Sequence, residues 1–347
     1  MLRTIRSSYY VRQVSKALFT VFFVTSLIFF LVRLMPMNPI EKYVQDLVIN
    51  EGRSRQEALD EARAIFAIDL DQPVYIQYWD YLTKLAKGDM GMSLLARGTP
   101  VAAIIKTVLP WTVFSVGVGL TISFAIGISL GTVIAYRRET VLDPVVSGVS
   151  SILSAIPNYL LAILIIVILG VQIKINGKAL VPIHQMRGAY TPGIQIGLTW
   201  EFIKDVFFHA ALPIVTYILS TAGGWTLAMK SNTINILGED YVTVARARGL
   251  SDGRITTAYV GRNALLPLVS GLAISIGFAI GGSTLIETYF VYPGIGKRLG
   301  AAVTNRDYPV MQGVFLMITF VVIFSNLLAD FLYSALDPRI RIGGGGS

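Results

Sequence analysis

The chain has 347 residues, 54% of them hydrophobic and only 14% charged, with a mean hydropathy of +0.63. A soluble domain has about a quarter charged residues, so the composition excludes one and defines an integral membrane protein. The net charge of +8 needs no nucleic acid, because cytoplasmic loops of membrane proteins are rich in lysine and arginine; the absence of cysteine excludes disulfides, thiol nucleophiles and thiolate-held metals.

A bilayer-spanning helix needs about 20 mostly apolar residues. Residues 14–34, 109–136, 145–171, 206–229, 265–288 and 312–335 meet that requirement. Arg3, Arg6, Arg12 and Lys16 precede the first stretch as in a signal peptide, but RLMPMNP follows it and no small-residue cleavage site does. An uncleaved helix is expected, so residues 1–34 are read as a cytoplasmic N-terminus and first transmembrane helix.

Residues 35–107 form a long polar insertion that reads as an extracytoplasmic helical cap. Ser54 and Glu57 have capping-box spacing, and Leu59, Ala62 and Phe66 then recur on one helical face. A second helix is expected from about Asp71 and Pro73 to Gly88, with Tyr75, Tyr78, Trp79 and Leu82 on one side. Aromatic side chains on a loop imply packing against a partner or the outer membrane face, so Tyr75, Tyr78 and Trp79 are candidate docking residues.

The rest, residues 108–342, reads as a five-helix core. Gly127 and Gly131, then Gly277, Gly281 and Gly282, have the spacing of close helix packing. Asn158 beside a kink at Pro157, with Gly281, Gly282 and Ser283, is the candidate lining of a pathway. Glu287 and Asp330 lie toward span ends, where pairing between helices accounts for them better than ion coupling does.

Basic residues of short flanking segments set orientation. With the N-terminus inside, thirteen fall on the cytoplasmic side (Arg3, Arg6, Arg12, Lys16, Arg137, Arg138, Lys230, Arg246, Arg248, Arg254, Arg262, Arg339, Arg341) and seven outside (Lys174, Lys178, Arg187, Lys204, Lys297, Arg298, Arg306). Both termini are therefore expected in the cytoplasm.

The longest cytoplasmic segment, 230–264, contains EDYVTVARARGL. Asp240 can cap a short helix that Gly249 ends in a left-handed turn, and Ala245 and Ala247 leave room for another surface to approach. Pattern alone also fits a basic loop laid on the membrane. No phosphate-binding G-x-x-x-x-G-K-[ST], H-E-x-x-H or G-x-S-x-G occurs, so neither ATP binding nor hydrolysis is expected of this chain. His184 and His209 are too isolated to form a metal site. The final GGGGS, residues 343–347, has the composition of an engineered flexible linker.

The segment EDYVTVARARGLSDGRITTAYVGRNALLP resembles the cytoplasmic EAA loop of permease subunits in binding-protein-dependent ABC importers. DLDQPVYIQYWDYLTKLAKGDMGMSL, ETYFVYPGIGKRLGAAVTNRDYPVMQG and ALDPRIR resemble stretches of the oligopeptide, dipeptide and nickel branch in the same order. The chain departs from the EAA pattern ahead of Ala245, where Thr243 and Val244 replace its acidic position. The resemblance implies an all-α permease of the type I importer kind, with six transmembrane helices in a prokaryotic plasma membrane. Its coupling helix would comprise Glu239, Asp240, Tyr241, Ala245, Arg246, Ala247, Arg248, Gly249 and Leu250, with Arg246 and Arg248 meeting acidic or carbonyl groups of an ATPase. The implied partners are a second homologous permease in a heterodimer, two ATPase subunits that carry ATP and Mg, an extracytoplasmic solute-binding protein and the lipid bilayer. Oligopeptide or dipeptide is the implied cargo, with oligosaccharide and nickel as alternatives in the same branch and an ion-coupled secondary transporter as a more distant one.

Overall fold

The computed structural model describes residues 2–34, 39–66, 72–96 and 98–336. Sequence readings on residues 35–38 of RLMPMNP, the start of DLDQP, the end of ALDPRIR and the GGGGS tail lie outside the described residues.

The chain is built almost wholly of helices, because a backbone crossing lipid must satisfy its N–H and C=O groups within each segment. In order these are α1 (Leu2–Arg33), α2 (Pro39–Glu51), α3 (Arg55–Phe66), α4 (Val74–Ala86), α5 (Val101–Tyr136), α6 (Leu142–Ala155) and α7 (Asn158–Val167). A π-helical turn at Ile168–Gln172 and a two-residue antiparallel hairpin, β1 (Lys174–Ile175) and β2 (Lys178–Ala179), follow. Then come α8 (Trp200–Leu237), α9 (Asp240–Ala247), α10 (Asp252–Arg254), a π-helical stretch Ile255–Gly261, α11 (Arg262–Gly282), α12 (Thr284–Tyr289), α13 (Ile295–Asn305) and α14 (Tyr308–Leu336). Five of these rods are long and apolar enough to cross a membrane, or six if the bent pair α6 and α7 counts as one span.

Two expected spans differ in form. The third, 145–171, is not one rod: α6 and α7 meet at 98°, because Ile156 is extended before Pro157, which lacks an N–H and disfavours helix in the residue preceding it. The fifth, 265–288, starts earlier and stops sooner, as part of a continuous rod from Asp252 to Gly282, with α12 a separate short helix.

The chain forms two compact units, Met1–Pro110 with Ile295–Ile323, and Trp111–Gly294 with Phe324–Ser347. In the first, α2 and α3 close around Val44, Leu47, Ala58 and Leu94, with Tyr43 and Leu59 against them. The capping box is made in both directions: the Ser54 amide donates to Glu57 Oε2 at 3.2 Å, and the Glu57 amide to Ser54 Oγ at 3.3 Å. Asp307, fully buried before α14, accepts from Ser93 Oγ at 2.6 Å and from the amides of Leu94 and Leu95 at 3.1 and 3.3 Å. Such a carboxylate fixes the loop entering α5, and only the folded chain brings these groups together across more than 200 residues.

In the second unit α8 is the central rod, packed by α6, α7 and α11. Small residues allow the approach. A Cβ at Gly119 would meet Tyr217 Cβ at 2.8 Å, one at Gly131 would meet Met229 Cβ at 2.7 Å, and one at Gly127 would come within 3.0 Å of the Thr226 amide. The Gly127 and Gly131 pair is thus a packing seam between α5 and α8.

Candidate coupling surface and other candidate sites

α9 has two different faces. Val242 (0% exposed) and Ala245 (3%) are sunk against Ile255 and Val260 of the π-helical stretch, with Ile236, Leu237, Tyr241, Leu250 and Tyr259 around them. Thr243, Val244, Arg246, Ala247 and Arg248 point out. Val244 is more than half exposed, so the open face is apolar as well as basic. Burying Ala245 corrects the expectation that it leaves room for a partner: it leaves room for its own bundle, and Ala247 is the small residue on the open side. Asp240 is corrected too. The helix starts at Asp240 itself, with Glu239 at the N-cap and no side-chain cap bond, so Asp240 acts only as a carboxylate in the positive first turn.

The C-terminal end is built as the sequence predicts. Gly249 has φ +74°, its amide donates to Arg246 O at 2.9 Å and the Leu250 amide to Ala245 O at 3.3 Å, the two bonds of a Schellman turn. Asn263 Nδ2 donates to Tyr241 Oη at 3.1 Å and to Tyr259 O at 2.8 Å, so the start of α11 is bonded to α9. Eight residues cannot hold a helix alone in water. Here the packed face and the closed end hold it, and five side chains stay free for another surface.

The candidate docking residues separate. Tyr78 turns inward: its Oη lies 2.6 Å from Ser26 Oγ, and its ring lies 5.1 Å from Phe29 and 5.2 Å from Phe30. Tyr81 lies with it, where burial pushes its hydroxyl up to about 12 against the opposing pull of Arg33. Tyr75 and Trp79, 72% and 68% exposed, are on the outer side. One face for Tyr75, Tyr78, Trp79 and Leu82 is therefore corrected to two: Tyr78 packs on α1, and the i, i+4 pair Tyr75 and Trp79 faces out.

Of the candidate pathway residues, Asn158 is half-buried in the first turn of α7 beside the break, Gly281 is half-buried and Gly282 exposed. Ser283 is fully buried and its hydroxyl donates to Ile280 O at 3.1 Å, so it is turned into the chain and removed from the pathway set.

Two acids carry more structure than the sequence suggested. Glu287 is fully buried and accepts from Thr112 Oγ1 at 2.6 Å, and Gly294 lies so close that a Cβ there would overlap the carboxylate. Asp205 accepts from the Thr191 amide and hydroxyl at 2.6 and 2.8 Å beside buried His209, which is a loop anchor on α8. Glu287 depends on a partner remote in sequence, whereas Asp205 anchors Thr191 across only 14 residues.

Helices long and apolar enough to cross a membrane, with a small docked helix on one loop, define a multi-pass membrane protein. The chain belongs to the family described as binding-protein-dependent transport system inner membrane component, whose model matches residues 127–342 and so includes the broken span, α8, α9 and α11. The chain is 33% identical over 318 residues to a Brucella suis biovar 1 protein named as a peptide permease, covering 92% of this chain and 94% of that one. It is 31% identical over 338 residues to the oligopeptide transport system permease protein AppB of Bacillus subtilis (96% and 99% covered), and 31% identical over 341 residues to the di/tripeptide transport system permease protein DppB of Pseudomonas aeruginosa (96% and 98%). It is the membrane-embedded transport component of an ABC importer rather than a catalytic subunit.

Proposed function

We propose that this permease passes oligopeptides or dipeptides from an extracytoplasmic binding protein into the cytoplasm, paired with a second homologous permease and driven by two ATPase subunits that bind ATP and Mg. The observation that carries the reading is the two-faced α9, with one side fixed to α8 and α11 and the other presenting Val244, Arg246, Ala247 and Arg248. The names of the relatives support the cargo. Uptake of labelled di- and tripeptides by proteoliposomes holding the assembled complex and its binding protein tests it. Accumulation that requires ATP and is suppressed by unlabelled peptide is expected; uptake indifferent to ATP would end the reading.

The orientation follows from the basic-residue count and is checked in a chain with no cysteine of its own. Lys174→Cys, in the exposed hairpin, should react with a membrane-impermeant thiol reagent on intact cells. Ser251→Cys, in the exposed turn after α9, should react only after the cells are opened. The opposite pattern reverses the topology.

Tyr75 and Trp79 form the face on which the binding protein sits. Because Trp79 is 68% exposed, Trp79→Ala should leave thermal stability within about 0.5 kcal/mol. It should weaken binding-protein affinity by about tenfold, the effect of one aromatic anchor. An unchanged dissociation constant with purified components would assign the pair to lipid or solvent instead.

A further inference from the structure

α6 and α8 meet in two ways. Along their middle the contact is close and small-sided: Gly223 of α8 faces the Ser150 carbonyl and the Ser154 hydroxyl, and a Cβ there would overlap that carbonyl. Small-residue contacts bring helices close, and packed helices can shear along such a seam. Near the end of α8 the contact is ionic. Lys230 Nζ lies 2.5 Å from Asp143 Oδ1 and 3.1 Å from Ser147 Oγ, and Ser147 Oγ donates to the same Asp143 oxygen at 2.9 Å. The ring is closed and sheltered, with Lys230 23% and Asp143 14% exposed.

The two ends of this tie stand on different helices of one compact unit. From Lys230, α8 runs about 10 Å further to Leu237. Ile236 and Leu237 lie under α9, and Ile236 also packs on Met229, Ala264 and Leu268, so the end of α8, α9 and the start of α11 form one block. Asp143 stands in the first turn of α6, which leads to the 98° break and α7. We infer that Lys230 and Asp143 are positioning residues that make α6 follow the block carrying α9, so that movement received at α9 reaches the broken span. The tie adds a charged, directional contact to a seam otherwise made by small residues.

The inference rests on α9 being the ATPase contact, and the two readings fail separately. ATPase co-purification reports that contact, and a distance between the block and α6 reports the tie. Spin labels on Val145→Cys (α6) and Asn235→Cys (α8), both exposed, measure it in the assembled complex without nucleotide and after trapping with ATP and vanadate. With the tie intact the distance should be the same in the two states. In Asp143→Asn and in Lys230→Gln it should differ between states by about 2 Å or more, the scale of helix shifts in switching proteins. Asp143→Lys combined with Lys230→Asp should restore the constant distance, and Lys230→Arg should retain it. Three results overturn the inference: a distance that already changes in the unmodified complex, one that stays constant in both neutralised variants, or a reversed pair that behaves like the single variants. Should one neutralised variant fail to assemble, the other together with the reversed pair still decides.

Discussion

Tryptophan placed at two alanines of α9 separated by one residue is expected to give opposite failures. Ala247→Trp should leave the protein inserted and thermally stable, and stop transport. Moving a two-state transporter between 1:99 and 99:1 takes about 5.5 kcal/mol of differential interaction. Loss of about half of that at the joint changes the poised population by roughly a hundredfold, which is the fall expected in ATP-driven uptake. Ala245→Trp should fail earlier, in the bundle. Ala245 is 3% exposed among Val242, Ile255 and Val260, so an indole there overpacks the cluster by about 3 kcal/mol and lowers the melting temperature. Thermal stability in detergent, ATPase co-purification and reconstituted uptake separate the two. Normal uptake by Ala247→Trp would mean that the open face of α9 meets no partner.

Gly294→Ala is expected to be among the damaging single-methyl changes in the described residues. The new Cβ overlaps the carboxylate of Glu287, which is fully buried and held by the Thr112 hydroxyl, so neither group can yield into solvent. A cost of about 3 kcal/mol or more should appear as lost folded protein. Gly282→Ala is the matched control, at the last residue of α11 with no atom within 4 Å of the new methyl. Adding Glu287→Asp to Gly294→Ala withdraws the carboxylate by one methylene and should recover part of the loss. Equal melting temperatures for the two glycine variants would show that the Glu287 carboxylate is free to move.

Much of this architecture is local and therefore readable before folding is considered. Apolar length gives the spans, Ser54 with Glu57 gives a helix start that both bonds of the box satisfy, and Gly249 gives a helix end whose φ only glycine adopts without strain. What failed to be legible was which side of a short helix faces home. Ala245 and Ala247 are chemically identical, and only the π-helical stretch that folds back beneath α9 tells them apart. Tyr78 and Trp79, adjacent in sequence, divide between α1 and solvent for the same reason. α2 escaped notice although Asn38, Pro39 and Glu41 spell a helix start in the sequence; its apolar face, Val44 and Leu47, meets partners on α3 and beyond. Glu287 was legible as an acid paired between helices, though its partner Thr112 was not, and Asp307 gave no warning, since what surrounds a buried acid comes from distant parts of the chain.

The break between Ala155 and Asn158 has a consequence for how durable polarity inside a span can be. A helix that stops leaves carbonyls at one end and amides at the other without partners in their own coil. Non-helical backbone at membrane depth persists only where protein covers it or water reaches it. Polarity supplied by main chain does not depend on which side chain stands there. Point mutation cannot erase it, because every amino acid brings the same carbonyl.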